Sequence, residues 1–85
     1  MAYRIFFTAE AKKDIRRLDA VIRRRLNKKM EQIAELDDIK PWARRLINNE
    51  AGGYRLRLGD YRIIFDLNQR NLYILRVRHR REAYR

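Results

Sequence analysis

Apolar and polar positions follow two periods along this chain, and the change of period marks out its elements. Residues 3–7, YRIFF, are a short aromatic and β-branched run that predicts a first strand. Thr8 follows as a good N-cap, with Glu10 in the favourable first turn beyond it. Ala11, Ile15 and Leu18 then recur at helical spacing among Lys12, Lys13, Arg16 and Arg17, which predicts an amphipathic helix over 9–18. Asp19 can cap a second helix, whose apolar stripe of Ile22, Leu26, Met30 and Ile33 runs to about residue 36. Two helices joined so tightly are expected as an antiparallel hairpin.

DDIKPW ends the second helix, and a brief helical turn is expected through WARRLI, residues 42–47. NNEAGG, residues 48–53, carries the turn formers of a loop. Three apolar-rich runs follow at 54–58, 61–67 and 72–79, separated by Gly59-Asp60 and by NQRN, both of which read as hairpin connections. The order is strand, helix pair, three-stranded antiparallel meander. This is an α+β fold with the helices packed on one sheet face and the opposite face largely open. No repeat or low-complexity tract interrupts it, so residues 1–85 read as one domain.

A two-residue connection at Gly59-Asp60 sets Leu58 opposite Tyr61, Arg57 opposite Arg62, Leu56 opposite Ile63 and Arg55 opposite Ile64. Opposed residues share a face and side chains alternate along a strand. Tyr54, Leu56, Leu58, Tyr61, Ile63 and Phe65 then face the helices, while Arg55, Arg57 and Arg62 gather on the other face. Like charges set across from each other repel; the pattern reads either as the polar side of an amphipathic sheet or as an anion-binding face. With Leu67 opposite Leu72, alternation along the last strand adds Tyr73, Leu75, Val77 and His79 to the arginine face.

Charge favours the second reading. The 85 residues hold 22 Lys plus Arg against 11 Asp plus Glu, a net charge of +11, which suits a polyanionic partner. From residue 54 onward there are nine arginines and no lysine. Arginine grips phosphate with a planar fork and stacks on bases, so the bias points to nucleic acid. The absence of cysteine removes a disulfide framework and thiolate metal sites. No N-terminal apolar run suggests a signal peptide and no segment approaches a membrane span, so a cytoplasmic protein without a membrane partner is expected.

The candidate chemistry is narrow. One histidine and no cysteine make a metal site unpromising, Gly52-Gly53 is a turn rather than a phosphate loop, and the chain has no serine for a nucleophile. Acid–base work by His79 or a tyrosine beside several arginines remains. That set fits RNA cleavage by attack of a 2′-hydroxyl on its own phosphate. Histidine titrates near neutrality and can carry protons, whereas arginine stabilises charge but stays protonated.

YRLRLGDYRIIF (54–65) and RVRHRREAY (76–84), with YRIFFTAEAKKDIRRL (3–18) before them, resemble the RelE/ParE superfamily of bacterial type II toxin–antitoxin toxins over essentially the whole chain. The two C-terminal motifs resemble the RelE-like branch. The resemblance implies the strand, helix pair and meander derived above. It also implies metal-independent and cofactor-free cleavage of mRNA in the ribosomal A site, and inhibition by a cognate antitoxin that wraps the toxin. Contact with operator DNA would run only through the antitoxin. Carried over by motif, Arg62 and Arg80 would hold the scissile phosphate and stabilise the transition state. Tyr84 would stack on or orient a base, or assist proton transfer, and Arg55, Arg57, Arg78 and Arg81 would contact RNA phosphates. The best-known RelE-type enzyme has lysines at the positions of Arg55 and Arg57, which leaves His79 and Tyr84 as candidates for proton abstraction here. Arg78 stands where a glycine commonly ends the last strand. The chain stops at Arg85, without room for a helix beyond the motif, which would leave a hydrophobic groove for the antitoxin. Two alternatives stay open: a ParE-like toxin directed at DNA gyrase, and a non-catalytic module that binds antitoxin and nucleic acid.

Overall fold

A computed structural model of the chain describes residues 2–46 and 53–83. The elements in order are β1 (Arg4–Phe7), α1 (Ala9–Arg16), α2 (Ala20–Ala34), a 3-10 turn (Lys40–Trp42), β2 (Arg44–Arg45), β3 (Tyr54–Leu58), β4 (Tyr61–Asn68), β5 (Asn71–His79) and α3 (Arg80–Ala83). The strands form one sheet in the order β1-β5-β4-β3-β2, with β1 parallel to β5 and the other pairs antiparallel. The mixed α+β architecture is the one expected from the periodicity.

Both helices start where the sequence places a cap. Thr8 is extended and its Oγ1 accepts from the Ala11 N–H at 3.1 Å, while Asp19 Oδ1 accepts from the Ile22 N–H at 2.9 Å. The α1 helix stops two residues short of the expected end. Its last turn tightens, with the Arg17 and Leu18 N–H groups bonding to Asp14 and Ile15 carbonyls three residues back. Beyond the end of α2, Arg70 donates to the Leu36 and Asp37 carbonyls at 3.1 and 2.7 Å, and its guanidinium lies 3.9 Å above the Tyr3 ring.

The segment after α2 departs from the helical turn expected over 42–47. Pro41 supports only the 3-10 turn. Arg44 and Arg45 are extended and pair with Arg55 and Tyr54, because the β3 edge offers them backbone partners that an isolated turn could not. Residue 47 lies outside the described residues, as does 48–52 of the expected loop.

One face of the sheet makes the core. Leu56, Leu58, Ile63, Phe65, Leu72, Ile74 and Val77 pack with Ala11, Leu18, Leu26, Met30 and Ile33 from the helices. The free edge of β5 beyond β1 is covered by α1 and the turn before it. Thr8 Oγ1 donates to the Leu75 carbonyl, and Asp14 accepts from the Val77 N–H at 2.9 Å.

The β3–β4 register is the expected one at every pair. On β5 the register shifts by one residue between the Phe65↔Ile74 and Ile64↔Arg76 pairs, leaving Leu75 as the extra residue of a β-bulge. The expectation that Val77 and His79 share the arginine face is therefore corrected: Val77 opposes Ile63 and His79 opposes Tyr61, both on the helix side. Strict alternation from Leu72 and Ile74 would have sent Arg76 and Arg78 into the core, and the bulge avoids this by burying Val77 instead. Tyr73 remains on the arginine face, opposite Asp66.

Candidate nucleic-acid interface

The bulge completes a basic row across three strands. Arg57, Arg62 and Arg78 stand abreast on β3, β4 and β5, and the adjacent row is Arg44, Arg55, Ile64 and Arg76. This face is not open throughout, as the sequence had suggested: Arg55 and Arg62 are only 8% and 7% exposed, and Ile64 is buried.

Arg57 is exposed to solvent, but the heads of Arg62 and Arg78 are poorly satisfied among the described residues. Arg62 Nη1 makes only long contacts with the Gly59 and Tyr61 carbonyls, at 3.4 and 3.3 Å. Nε of Arg62 and Nε of Arg78 are buried without a hydrogen-bond partner among the described residues. No carboxylate among those residues pairs with Arg57, Arg62 or Arg78. Burying cationic donors unpaired is costly, and opposing like charges adds to the cost. A fold selected for stability alone has little reason to keep such a row, whereas an anion would satisfy several donors at once.

Two local devices hold the row in place. Gly59 takes φ +59°, the left-handed conformation the tight β3–β4 turn demands, and so fixes Arg57 opposite Arg62. The Arg80 N–H donates to the Asp60 carbonyl at 2.7 Å, which starts α3 against this turn. Arg80 and Arg81 are exposed and sit at the same end of the sheet as the row.

His79 stands on the helix side of β5, although it shares an edge cavity with Arg78 of the row. Its ring meets Tyr61 edge-on, with centroids 5.4 Å apart, and its Nδ1 accepts from the Arg81 N–H. It lines a polar cavity of about 440 Å³ with Asp14, Arg17, Tyr61 and Arg78, at the β5 edge. The structure thus gathers Arg55, Arg57, Arg62 and Arg78 on one face, sets Arg80 and Arg81 at its end, and places His79 on the helix side. Tyr84 lies outside the described residues.

Sequence reasoning overlooked Asp14 and Arg76. Asp14 Oδ2 accepts from Arg76 Nε at 2.8 Å and from the Val77 N–H, and Oδ1 accepts from Arg76 Nη2 at 3.0 Å. The pair ties α1 to β5 just past the bulge. A signal was present: Asp14 stands three residues after Ala11 and four before Leu18, an acid on the buried stripe rather than in the first turn, where Glu10 stands.

A second concavity, about 490 Å³, runs between α2 and the β3 edge. Ile33, Leu36, Trp42 and Leu56 form its apolar wall, and Lys29, Arg44, Arg55 and Arg57 its basic rim. Trp42 is 69% exposed there. No described helix is long and apolar enough to cross a membrane.

Comparison with known proteins gives consistent relatives. The model of a family described as the ParE toxin of type II toxin–antitoxin systems, parDE, matches residues 5–84. The toxin–antitoxin complex RelBE2 from Mycobacterium tuberculosis contains a chain 26% identical, with TM-score 0.67 over 93% of this chain and 99% of that one. A chain of the archaeal RelE–RelB complex from Pyrococcus horikoshii is 25% identical, with TM-score 0.74 over 94% and 97%. Free E. coli RelE, in a double arginine-to-alanine variant, shares the fold at 24% identity and TM-score 0.74 over 99% and 92%. Curated protein sequences gave no match.

Proposed function

Since the chain belongs to the ParE toxin family of type II toxin–antitoxin systems, within the RelE/ParE superfamily, we propose that it cuts mRNA in the ribosomal A site. The observation that carries this reading is the row Arg57–Arg62–Arg78, in which the buried Nε groups of Arg62 and Arg78 lack partners among the described residues. A phosphodiester would satisfy those donors. Attack of the 2′-oxygen on the adjacent phosphorus builds negative charge on the non-bridging oxygens, and fixed guanidinium groups are suited to stabilise it. The P–O5′ bond then breaks, leaving a 2′,3′-cyclic phosphate and a 5′-hydroxyl end.

Arg62 and Arg78 hold the scissile phosphate from the floor, and Arg80 closes on it from the start of α3. Arg55, Arg57 and Arg81 take neighbouring phosphates. None of these can remove a proton. His79 faces the other side of the sheet, so proton transfer falls to Tyr84 and to groups of the ribosome, which makes the reaction ribosome-dependent. A cognate antitoxin, of the kind present in the M. tuberculosis and P. horikoshii complexes, silences the toxin by filling the groove between α2 and β3. Arg55 and Arg57 form part of that rim, so the occupant would cover the RNA face as well.

The test is primer extension on a programmed ribosome. Wild-type protein should produce breaks in the A-site codon, and Arg62→Ala should reduce them at least about 100-fold, the scale of losing one transition-state donor. Unchanged cleavage by Arg62→Ala would remove the assignment. The ParE match favours a second reading, a gyrase-directed toxin. It predicts inhibited supercoiling by gyrase and intact mRNA.

A further inference from the structure

The arginine face carries an aromatic feature that phosphate chemistry does not use. Phe6 on β1 stands opposite Tyr73 on β5, and their rings stack with centroids 5.3 Å apart and planes 20° from parallel. Phe6 is 45% exposed, unusual for a large apolar side chain, and Tyr73 is half-buried. Their neighbours Ile5, Phe7, Leu72 and Ile74 point to the core, so the pair is not needed to fill it.

Register places the pair with the cations. Arg4 shares its face and strand with Phe6. Tyr73 opposes Asp66, and four residues along β4, about 13 Å of extended chain, is Arg62. Asp66, the acid opposite Tyr73, has its carboxylate turned to the Gly53 N–H at 2.7 Å. A partly exposed ring pair at one end of a face and, at the other, a guanidinium row in which Arg62 and Arg78 lack partners among the described residues match the two repeating parts of a single-stranded nucleic acid, an apolar base and an anionic phosphate.

We propose that Phe6 and Tyr73 form a stacking platform for an unpaired RNA base, next to the phosphate contacts of the arginine row. A second copy of the chain is a poor occupant, because pairing two such faces would bring Arg55, Arg57, Arg62 and Arg78 against their like. The choice of RNA as ligand rests on the cleavage reading above; the placement of rings and arginines does not.

The experiment titrates the full chain with a short single-stranded oligoribonucleotide and with its abasic counterpart of equal phosphate number, without ribosomes. The wild type should bind the base-bearing strand about five-fold or more tightly than the abasic one. Phe6→Thr combined with Tyr73→Thr keeps strand-forming residues but removes both rings, and should abolish that preference while leaving abasic binding unchanged. Phe6→Tyr and Tyr73→Phe should retain it. Equal binding of both strands by the wild type overturns the platform, and that result needs no variant to fold. So does a dimer in sedimentation that Phe6→Thr dissociates, since the rings would then cover a second copy. Base-dependent binding by a protein that leaves mRNA uncut would sink the cleavage reading and keep the platform.

Discussion

Replacing Arg62 with methionine should make this protein more stable and inactive. Arg62 is 7% exposed, its Nε has no partner among the described residues, and Arg57 and Arg78 flank it directly. Freeing a buried unsatisfied donor returns about 1–3 kcal/mol. Relieving each opposed like-charge pair adds about 0.2–1 kcal/mol. Against this stand the long Nη1 contacts with the Gly59 and Tyr61 carbonyls, together about 1 kcal/mol. Methionine keeps an unbranched apolar stem beside Ile64. The net expectation is a gain of about 1–2 kcal/mol, a rise in Tm of roughly 5–15 °C for a domain of this size. Urea and thermal unfolding followed by circular dichroism measure it. Inorganic phosphate should raise the Tm of the wild type and not that of Arg62→Met, because only the wild type keeps the complete row. A loss of 1 kcal/mol or more in the variant would instead mark the guanidinium as a satisfied structural group, and the row as no evidence for an anion site.

Three further outcomes are expected. Asp14→Ala removes the carboxylate that holds Arg76 and the Val77 N–H and should cost about 2–4 kcal/mol in denaturant unfolding, with Asp14→Asn roughly half as damaging because one oxygen still accepts from Val77. Gly59→Ala forces a side chain into φ +59° with its Cβ 3.3 Å from Arg25 Nη1; it should destabilise by about 1–2 kcal/mol and weaken RNA binding together with stability. Binding to single-stranded RNA should fall linearly on a log–log salt plot at about −0.7 per phosphate contacted, and Arg57→Ala should make that slope shallower by roughly one contact.

Much of this was legible in the sequence, for identifiable reasons. The β3–β4 register could be read residue by residue because Gly59-Asp60 permits only a tight turn, and a tight turn fixes pairing. Thr8 and Asp19 gave both helix starts because short polar side chains bond their own backbone. What failed was long-range or cooperative. The bulge at Leu75 is a tertiary choice between burying Arg76 with Arg78 and shifting the strand, and alternation alone has no place for it. Its trace was there in the apolar spacing of Leu72, Ile74 and Val77, two residues and then three. The β2 strand exists because β3 offers an edge, which no local propensity encodes. In the site, Arg55, Arg57 and Arg62 followed from parity on an intact hairpin, whereas Arg78 was reached through its motif and its place opposite Arg62 only through the bulge. His79 changed sides for the same reason. Asp14 was hidden by its basic neighbours, although its helical position marked it.

The most direct test of the central claim is to induce the wild-type chain and Arg62→Ala side by side in growing cells and map mRNA 5′ ends. The wild type should arrest growth and produce new ends inside translated frames, bearing 5′-hydroxyls, and the variant should do neither. Arrest with intact mRNA would contradict that claim and turn the arginine face toward another target, with gyrase the first to examine.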